Sequence, residues 1–190
     1  MTASVILAHP RPGSLNHALA DAAARGLRAG GFEVALHDLY AEGFDPRLRP
    51  EEVETTAFAD ALAGRHAREL LIASRIVVVH PVWFFHVPAI AKGWVDRVVR
   101  EGVAFAMTAD GVVGRLRAEG ALVVTTANAA RAYEVEVLND PVTTFWRECV
   151  FAPAGVPVSE RLAFGPVRGS SAETRRGWLQ RVEKAVAGGV

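Results

Sequence analysis

The chain is poor in cysteine, with Cys149 the only one among its 190 residues. A single thiol excludes an intramolecular disulfide, so nothing suggests the disulfide framework of a small secreted domain. Cys149 falls in a predicted helix, where we expect a buried or inert thiol.

The chain also lacks net charge, because 21 lysine and arginine residues balance 21 aspartate and glutamate residues. A balanced chain creates no global field that would attract nucleic acid or an anionic membrane. The composition therefore argues against a DNA- or RNA-binding role.

No apolar segment is long enough to cross a membrane. The most apolar stretch, residues 70–95, is interrupted by arginine, histidine and proline, whereas a spanning helix needs about 20 predominantly apolar residues. Residues 1–8 lack a basic region and run directly into a strand-like pattern. We therefore expect no signal peptide, no direct membrane insertion and a cytoplasmic location.

What the sequence does contain is an alternation of strand and helix patterns. Five short apolar or alternating runs predict strands at residues 4–8, 33–38, 75–80, 121–125 and 156–163. Apolar residues at helical spacing predict helices over about residues 14–29, 51–74, 88–98, 141–151 and 172–186.

This alternation predicts an α/β fold. Strand followed by helix implies right-handed crossovers and a parallel sheet with helices on both faces. We expect a flavodoxin-like three-layer sandwich, a single domain over residues 1–190, with a five-stranded parallel sheet of order 2-1-3-4-5. In that order ligands bind beyond the carboxyl ends of strands 1 and 3, which are His9 and His80.

The loop after the first strand, residues 9–16, suits an anion. It contains neither a G-x-G-x-x-G fingerprint nor a P-loop. Backbone N–H groups at a helix N-terminus, with Ser14 and Asn16 as donors, can hold a phosphate, and Arg11 and His9 add charge-assisted bonds. An alternative stays open, in which Ser14 only caps the helix and His9 only ends a strand.

The loop after the third strand is rich in aromatic side chains. Trp83, Phe84 and Phe85 cannot all face the core, so at least one should project where a flat ring could be sandwiched. A hydrophobic subunit interface is the alternative, and both can hold. His80 and His86 have no carboxylate or thiolate partner at useful spacing, so we predict no metal site.

Two longer segments resemble a known family. These are HPRPGSLN at residues 9–16 and HPVWFFHVPAIAKGWVDRV at residues 80–98. They closely resemble the NAD(P)H:quinone oxidoreductase family, which groups DT-diaphorase-like enzymes, modulator-of-drug-activity proteins and ancillary oxidoreductases of glutathione-gated potassium efflux systems. The resemblance extends over roughly residues 4–180. It implies a flavodoxin-like fold, a homodimer, bound FAD (FMN in some members) and NAD(P)H as electron donor.

The resemblance also implies roles for individual residues. Cofactor contacts are expected from three loops: His9, Ser14, Leu15 and Asn16 at the phosphates; Pro81, Val82, Trp83, Phe84 and Phe85 along the isoalloxazine; and Thr125, Thr126, Ala127 and Asn128 at its pyrimidine side. Tyr133 matches a catalytic tyrosine near that edge, and Phe105 and Asn139 match positions that face the substrate.

The sequence departs from the family pattern at two points. Ala127 and Asn128 replace two glycines that let the backbone approach the ring closely. Asn139 replaces a histidine that can take up a proton, and an asparagine can donate a hydrogen bond but not a proton. The proton donor is therefore unassigned.

The function that the resemblance implies is hydride transfer from NAD(P)H, through the flavin, to a quinone-like, azo or nitro acceptor. The main alternative is a regulatory subunit that binds a partner such as a potassium-efflux transporter. A one-electron flavodoxin carrier would usually be strongly acidic, which this chain is not. A serine hydrolase has less support still, because no G-x-S-x-G motif is present.

Overall fold

The computed structural model describes residues 1–187. Its seven strands are β1 (Thr2–Leu7), β2 (Glu33–Asp38), β3 (Arg75–Pro81), β4 (Phe105–Thr108), β5 (Gly111–Gly114), β6 (Ala121–Thr126) and β7 (Val158–Phe164). Its α-helices are α1 (Leu15–Ala29), α2 (Ala61–Ile72), α3 (Ala89–Val98), α4 (Arg131–Glu136), α5 (Pro141–Thr144) and α6 (Ala172–Ala187). A 3₁₀ turn covers Pro50–Glu52, and a π-helical segment covers Phe145–Phe151.

Five strands form one parallel sheet in the order β2-β1-β3-β6-β7. Strands β4 and β5 pair only with each other, as an antiparallel hairpin outside this sheet. The predicted α/β class and the strand order 2-1-3-4-5 are therefore confirmed, with β6 and β7 as the fourth and fifth strands of the sheet.

The two faces of the sheet are covered by different helices. Side chains alternate along a strand, so Ile6, Ile76 and Val78 face the layer that contains α2, α3 and the segment after α5. Val77 and Val79 face α1 and α6. Both faces of the central strands are buried, which explains why residues 76–79 of β3 are all apolar.

The predicted helix over residues 51–74 is wrong in its first half. After the 3₁₀ turn the chain is irregular, Glu54 has a φ of 57°, and α2 begins only at Ala61. The carboxylate of Asp60 caps α2 by accepting the N–H of Ala63 at 2.8 Å. The Arg100 side chain donates to the carbonyls of Glu52, Thr55 and Ala57, so these carbonyls are satisfied without a helix.

Three further features differ from expectation or were not predicted. The β4–β5 hairpin and α4 were absent from the prediction, although the dipeptide Asp110-Gly111 is a known hairpin signal. Cys149 lies in the π-helical segment but is exposed, so of the expected buried or inert thiol the burial is wrong, and an inert thiol stays a prediction. Among the described residues, 1–187, no helix combines the length and apolar character that crossing a membrane requires.

A buried arginine attaches the loop before α2 to helix α3. The Arg97 guanidinium is fully buried and donates to both carboxylate oxygens of Glu52, at 2.9 and 2.7 Å. It also donates to the carboxylate of Asp60 and to the carbonyl of Asp45. Gly93, one turn earlier, lets the same loop approach, because a Cβ there would lie 2.1 Å from the carbonyl oxygen of Pro46.

Arg97→Met should lower the free energy of unfolding by about 3–5 kcal/mol, because it leaves the Glu52 carboxylate buried without its partner. The double variant Arg97→Met/Glu52→Gln should recover part of this loss, since a neutral amide still offers an acceptor to the N–H of Ala59. Urea unfolding followed by tryptophan fluorescence measures both. A loss below about 1 kcal/mol for Arg97→Met would contradict the argument that the buried Glu52 carboxylate depends on Arg97 for its stabilisation.

The same carboxylate should make the protein sensitive to acid. Burial raises the pKa of Glu52, but hydrogen bonds from Arg97 and from the N–H groups of Ala59 and Arg49 outweigh it and lower this pKa from 4.5 to about 2. Because the folded pKa is the lower one, the stabilisation is complete above 4.5 and is lost as the pH falls towards 2. The urea midpoint should therefore decline over this interval, and more steeply than in Glu52→Gln. If the urea midpoints of the wild type and of Glu52→Gln declined in parallel, Glu52 would not be the group responsible for the acid sensitivity.

Candidate functional site

A crevice lies beyond the carboxyl ends of β1, β3 and β6. Strands β1 and β3 are neighbours, but the chain leaves β1 into α1 on one face and leaves β3 into α3 on the other. This divergence opens the switch-point crevice of an α/β sheet. The crevice is lined by His9, Arg11, Ser14, Leu15, Asn16, Pro81, Val82, Trp83, Thr126, Ala127, Asn128 and Val167.

All of the predicted cofactor residues line this crevice except Phe84, Phe85 and Thr125. The side chain of Thr125 turns aside, where its hydroxyl accepts a hydrogen bond from Arg161 at 3.1 Å. Val167 was not predicted, because only a long-range hydrogen bond from its N–H to the carbonyl of Ala127 brings it here. That these residues bind a flavin remains a prediction.

The first wall is the β1–α1 loop, residues 8–14. Ser14 caps α1 by accepting the N–H of His17, and it also lines the crevice, into which the helix N-terminus opens. The cap is therefore present, and a further role for Ser14 and His9 at a phosphate remains a prediction. The Nδ1 atom of His9 lies 3.2 Å from the N–H of Arg11, which leaves its Nε2–H free to donate. Burial lowers the pKa of His9, which favours this neutral donor form.

A buried hydrogen bond joins the first wall to the strand that carries the third. The Asn16 amide donates to the hydroxyl of Thr126 at 2.9 Å, and both side chains are buried. The third wall is the β6–α4 loop, residues 127–130. The Asn16–Thr126 contact therefore sets the width of the crevice between α1 and β6.

The second wall is the β3–α3 loop, residues 82–88, and it turns sharply. Trp83 and His86 exchange both backbone hydrogen bonds, at 3.1 and 2.9 Å, around Phe84 and Phe85. These two residues have φ values of 49° and 57°, a left-handed conformation that is uncommon for side chains of this size. The strained turn leaves Phe84 completely exposed and Trp83 exposed by 42% at the crevice.

A buried histidine holds the base of this second wall. The indole N–H of Trp146 donates to Nε2 of His80 at 2.8 Å, so Nδ1 carries the proton and donates to the carbonyl of Pro81 at 2.9 Å. Burial lowers the pKa of His80 to about 4, so it is neutral at physiological pH. Its two nitrogens are thus committed to positioning the end of β3.

The two departures from the family pattern cause no backbone strain at the third wall. Neither Ala127 nor Asn128 has a positive φ, so neither position needs glycine for its backbone conformation. The Ala127 N–H donates to the carbonyl of Phe164, and the amide oxygen of Asn128 accepts the N–H of Arg168 at 2.7 Å. These contacts attach the wall to the chain after β7.

An ion-pair network holds the segment that carries Tyr133. The guanidinium of Arg161, which is almost fully buried, donates to Glu134 at 2.7 Å and to Asp140 at 2.8 Å. Tyr133 is 48% exposed, and its ring lies 5.3 Å from that of Phe85. Sequence reasoning missed Arg161 and Glu134, since their pairing depends on β7 lying next to β6.

Two predicted substrate residues lie away from the crevice within one chain. Phe105 lies in β4 and packs against the core layer of α2 and α3. Asn139 is exposed at the end of the α4 segment, with a φ of 56°. Neither lines the crevice, so their assignment to the substrate remains a prediction.

The fold and the crevice can be compared with known proteins. A profile described as flavodoxin-like fold matches residues 1–184. The chain belongs to this flavodoxin-like family.

Individual relatives carry related names. The chain is 32% identical over 158 residues to NAD(P)H dehydrogenase [quinone] 1 of Cavia porcellus, covering 72% of this chain and 57% of the relative. It is 33% identical over 112 residues to the FMN-dependent NADH:quinone oxidoreductase of Shewanella amazonensis, covering 52% and 55% respectively. The chain thus spans little more than half the length of these two curated relatives.

A solved structure supports the same flavodoxin-like fold. The NAD(P)H:quinone oxidoreductase from Methanothermobacter marburgensis superposes with a TM-score of 0.83 at 23% identity, covering 98% of this chain and 94% of that one. At this identity the likeness shows the fold alone.

Asn16→Ala should lower the free energy of unfolding by about 1–3 kcal/mol, because the buried hydroxyl of Thr126 loses its partner. Thr126→Val, which keeps the shape, should cost less, and the double variant should show a coupling energy of about 1 kcal/mol. Denaturant unfolding of the four proteins measures this cycle. Additive single effects would show that the two residues do not interact.

Proposed function

We propose that this chain is a flavin-dependent NAD(P)H oxidoreductase that reduces a quinone-like, azo or nitro acceptor. The observation that carries the proposal is the switch-point crevice, which joins a helix N-terminus to an exposed aromatic turn. The relatives named above are NAD(P)H or NADH oxidoreductases of quinones by their printed names, one of them FMN-dependent.

The first wall suits a phosphate group. The N-terminus of α1 offers backbone N–H groups and the positive end of its dipole. His9 and Asn16 line the crevice with N–H donors, and Arg11 adds a positive charge at its edge. The donor set is therefore that of an anion site rather than a metal site.

The second and third walls suit a flat aromatic ring. Trp83 borders the crevice with a partly exposed indole, and Phe85 and Tyr133 contact each other at the junction of the two loops. Aromatic side chains that the fold holds outside the core, rather than burying, provide a stacking surface for a planar ligand.

A bound flavin would accept a hydride equivalent from NAD(P)H and pass it to the second substrate. The chain's own residues bind and orient this group. The side chain of Tyr133 and the N–H group of Asn128 would stabilise negative charge at the pyrimidine edge, whereas the N–H of Ala127 already donates to the carbonyl of Phe164. Asn139 cannot supply a proton, so we propose that solvent at this exposed edge is the proton donor.

We expect FAD from the family resemblance, and the name of the Shewanella amazonensis relative provides the argument for FMN. Mass spectrometry of the chromophore released by heat distinguishes the two cofactors.

We also propose a homodimer. The hairpin of β4 and β5 exposes Met107, Val112 and Val113, each by about half or more of its surface. Together with the fully exposed Phe84, these side chains form apolar surface of the kind that subunits cover. Light scattering of the purified protein tests the assembly, and Val112→Lys/Val113→Lys should shift it towards the monomer.

The purified protein should be yellow and should oxidise NAD(P)H when menadione is added. Trp83→Ala should raise the dissociation constant for the flavin by about tenfold, because it removes a stacking surface. Ile72→Ala is the control, since Ile72 is similarly exposed but ends α2 beside Thr2, at the amino-terminal end of β1 and away from the crevice. Quenching of flavin fluorescence measures both.

Two outcomes would overturn the proposal. A colourless preparation that refuses both FAD and FMN would exclude a flavoprotein. Flavin binding without any oxidation of NAD(P)H, together with co-purification of a membrane transporter, would favour the regulatory subunit instead.

A further inference from the structure

Three side chains next to the crevice form a continuous chain of hydrogen bonds. Ser14 Oγ lies 2.8 Å from Nδ1 of His17, and Nε2 of His17 lies 3.0 Å from Oδ2 of Asp38. The order is that of a serine hydrolase triad, yet Ser14 is only 4% exposed and its oxygen already accepts the N–H of His17 as a helix cap. The arrangement therefore suits control of a hydroxyl group better than nucleophilic attack.

Asp38 determines where the protons of His17 lie. Its Oδ1 accepts the N–H groups of Tyr40 and Ala41, both at 3.2 Å, so this carboxylate acts only as an acceptor. Its Oδ2 must then receive the Nε2–H of His17. In neutral His17 the Nδ1 atom carries a lone pair and accepts the hydroxyl proton of Ser14.

The protonation state of His17 therefore decides what Ser14 presents to the crevice. With His17 neutral, the only hydroxyl proton of Ser14 points to the imidazole, and only oxygen lone pairs face a ligand. With His17 protonated, its Nδ1–H donates to Ser14 Oγ. The hydroxyl group of Ser14 can then turn and direct its own O–H towards the crevice. An arriving phosphate gains a hydrogen bond and a nearby positive charge only in the second state.

We propose that Asp38, His17 and Ser14 form a proton relay for the phosphate group of the bound flavin, in which His17 takes up a proton as the phosphate binds. This proposal rests on the flavin-binding function proposed above. By linkage, binding that favours protonated His17 weakens as the pH rises, because fewer molecules then carry that proton.

Other charged groups around His17 favour or oppose this uptake. From the β1–α1 loop the ring of His9 lies 6.2 Å from that of His17, and Arg11 adds a positive charge. From the end of β2, Asp38 favours the imidazolium, and Tyr40 follows it in the chain. Asp21 lies one turn further along α1. The phosphate supplies the negative charge that offsets His9 and Arg11.

The experiment compares FMN with riboflavin, which has the same ring but no phosphate. Calorimetry in buffers of different ionisation enthalpy, at a pH where free FMN is fully ionised, measures the protons taken up on binding. The wild-type protein should take up protons with FMN and none with riboflavin. His17→Gln should abolish the uptake and weaken FMN binding by about tenfold or more, while riboflavin binding stays unchanged.

Asp38→Asn provides a second variant, in which His17 remains but loses the carboxylate that favours its charge, and the uptake should decrease. Equal proton uptake in the wild type and His17→Gln would overturn the relay, as would an equal loss of riboflavin and FMN affinity.

A separate measurement does not depend on the flavin. Inorganic phosphate, titrated against the imidazole C–H resonances of the wild-type protein, should move the midpoint of the His17 titration to higher pH. Failure of both FAD and FMN to bind would contradict the proposed function, whereas an unmoved midpoint would contradict the relay.

Discussion

The parallel pairing of β1 with β3 is the constraint on which the candidate site depends. The chain leaves these neighbouring strands towards opposite faces of the sheet, because α1 covers one layer and α3 the other. No connecting helix can then cover the space between the two strand ends. Backbone groups and side chains at His9 and Pro81 are left facing a crevice that the fold itself cannot fill.

Buried polar contacts then set the shape of this crevice. The hydrogen bond between Asn16 and Thr126 connects the first wall to β6. His80 accepts the indole N–H of Trp146 and donates to the carbonyl of Pro81. Arg161 positions the segment that carries Tyr133. Apart from the His80–Pro81 contact, these hydrogen bonds join groups far apart in the chain. They remove polar groups from water, so loss of one partner leaves an unsatisfied group. The crevice is therefore held partly by its own lining residues Asn16 and Thr126, and partly by His80, Trp146 and Arg161, which lie outside the lining.

One strained turn lies next to the crevice. Phe84 and Phe85 adopt left-handed backbone conformations, and the paired backbone hydrogen bonds of Trp83 and His86 hold them there. Such a turn is costly for bulky residues and persists only when its surroundings determine it. Its effect is to keep aromatic rings outside the core, at the edge of the crevice and at the proposed subunit contact.

Local patterns in the sequence determined the class of the fold, the strand order and the two loops at the switch point. Three of these features depend only on residues that are close in sequence: the apolar run at residues 76–79, the helix cap at Ser14 and the alternation of strands with helices. Periodicity and turn chemistry therefore reveal them. The irregular course of residues 53–60 was decided only by tertiary structure, because the Arg100 side chain takes carbonyls that a helix would have used. Tertiary structure likewise decided the Arg161 network, the contact of Val167 with Ala127 and the contact of His17 with Asp38. The separation of these residues in sequence carries no signal, since only the packing of the strands and helices brings them within hydrogen-bond distance.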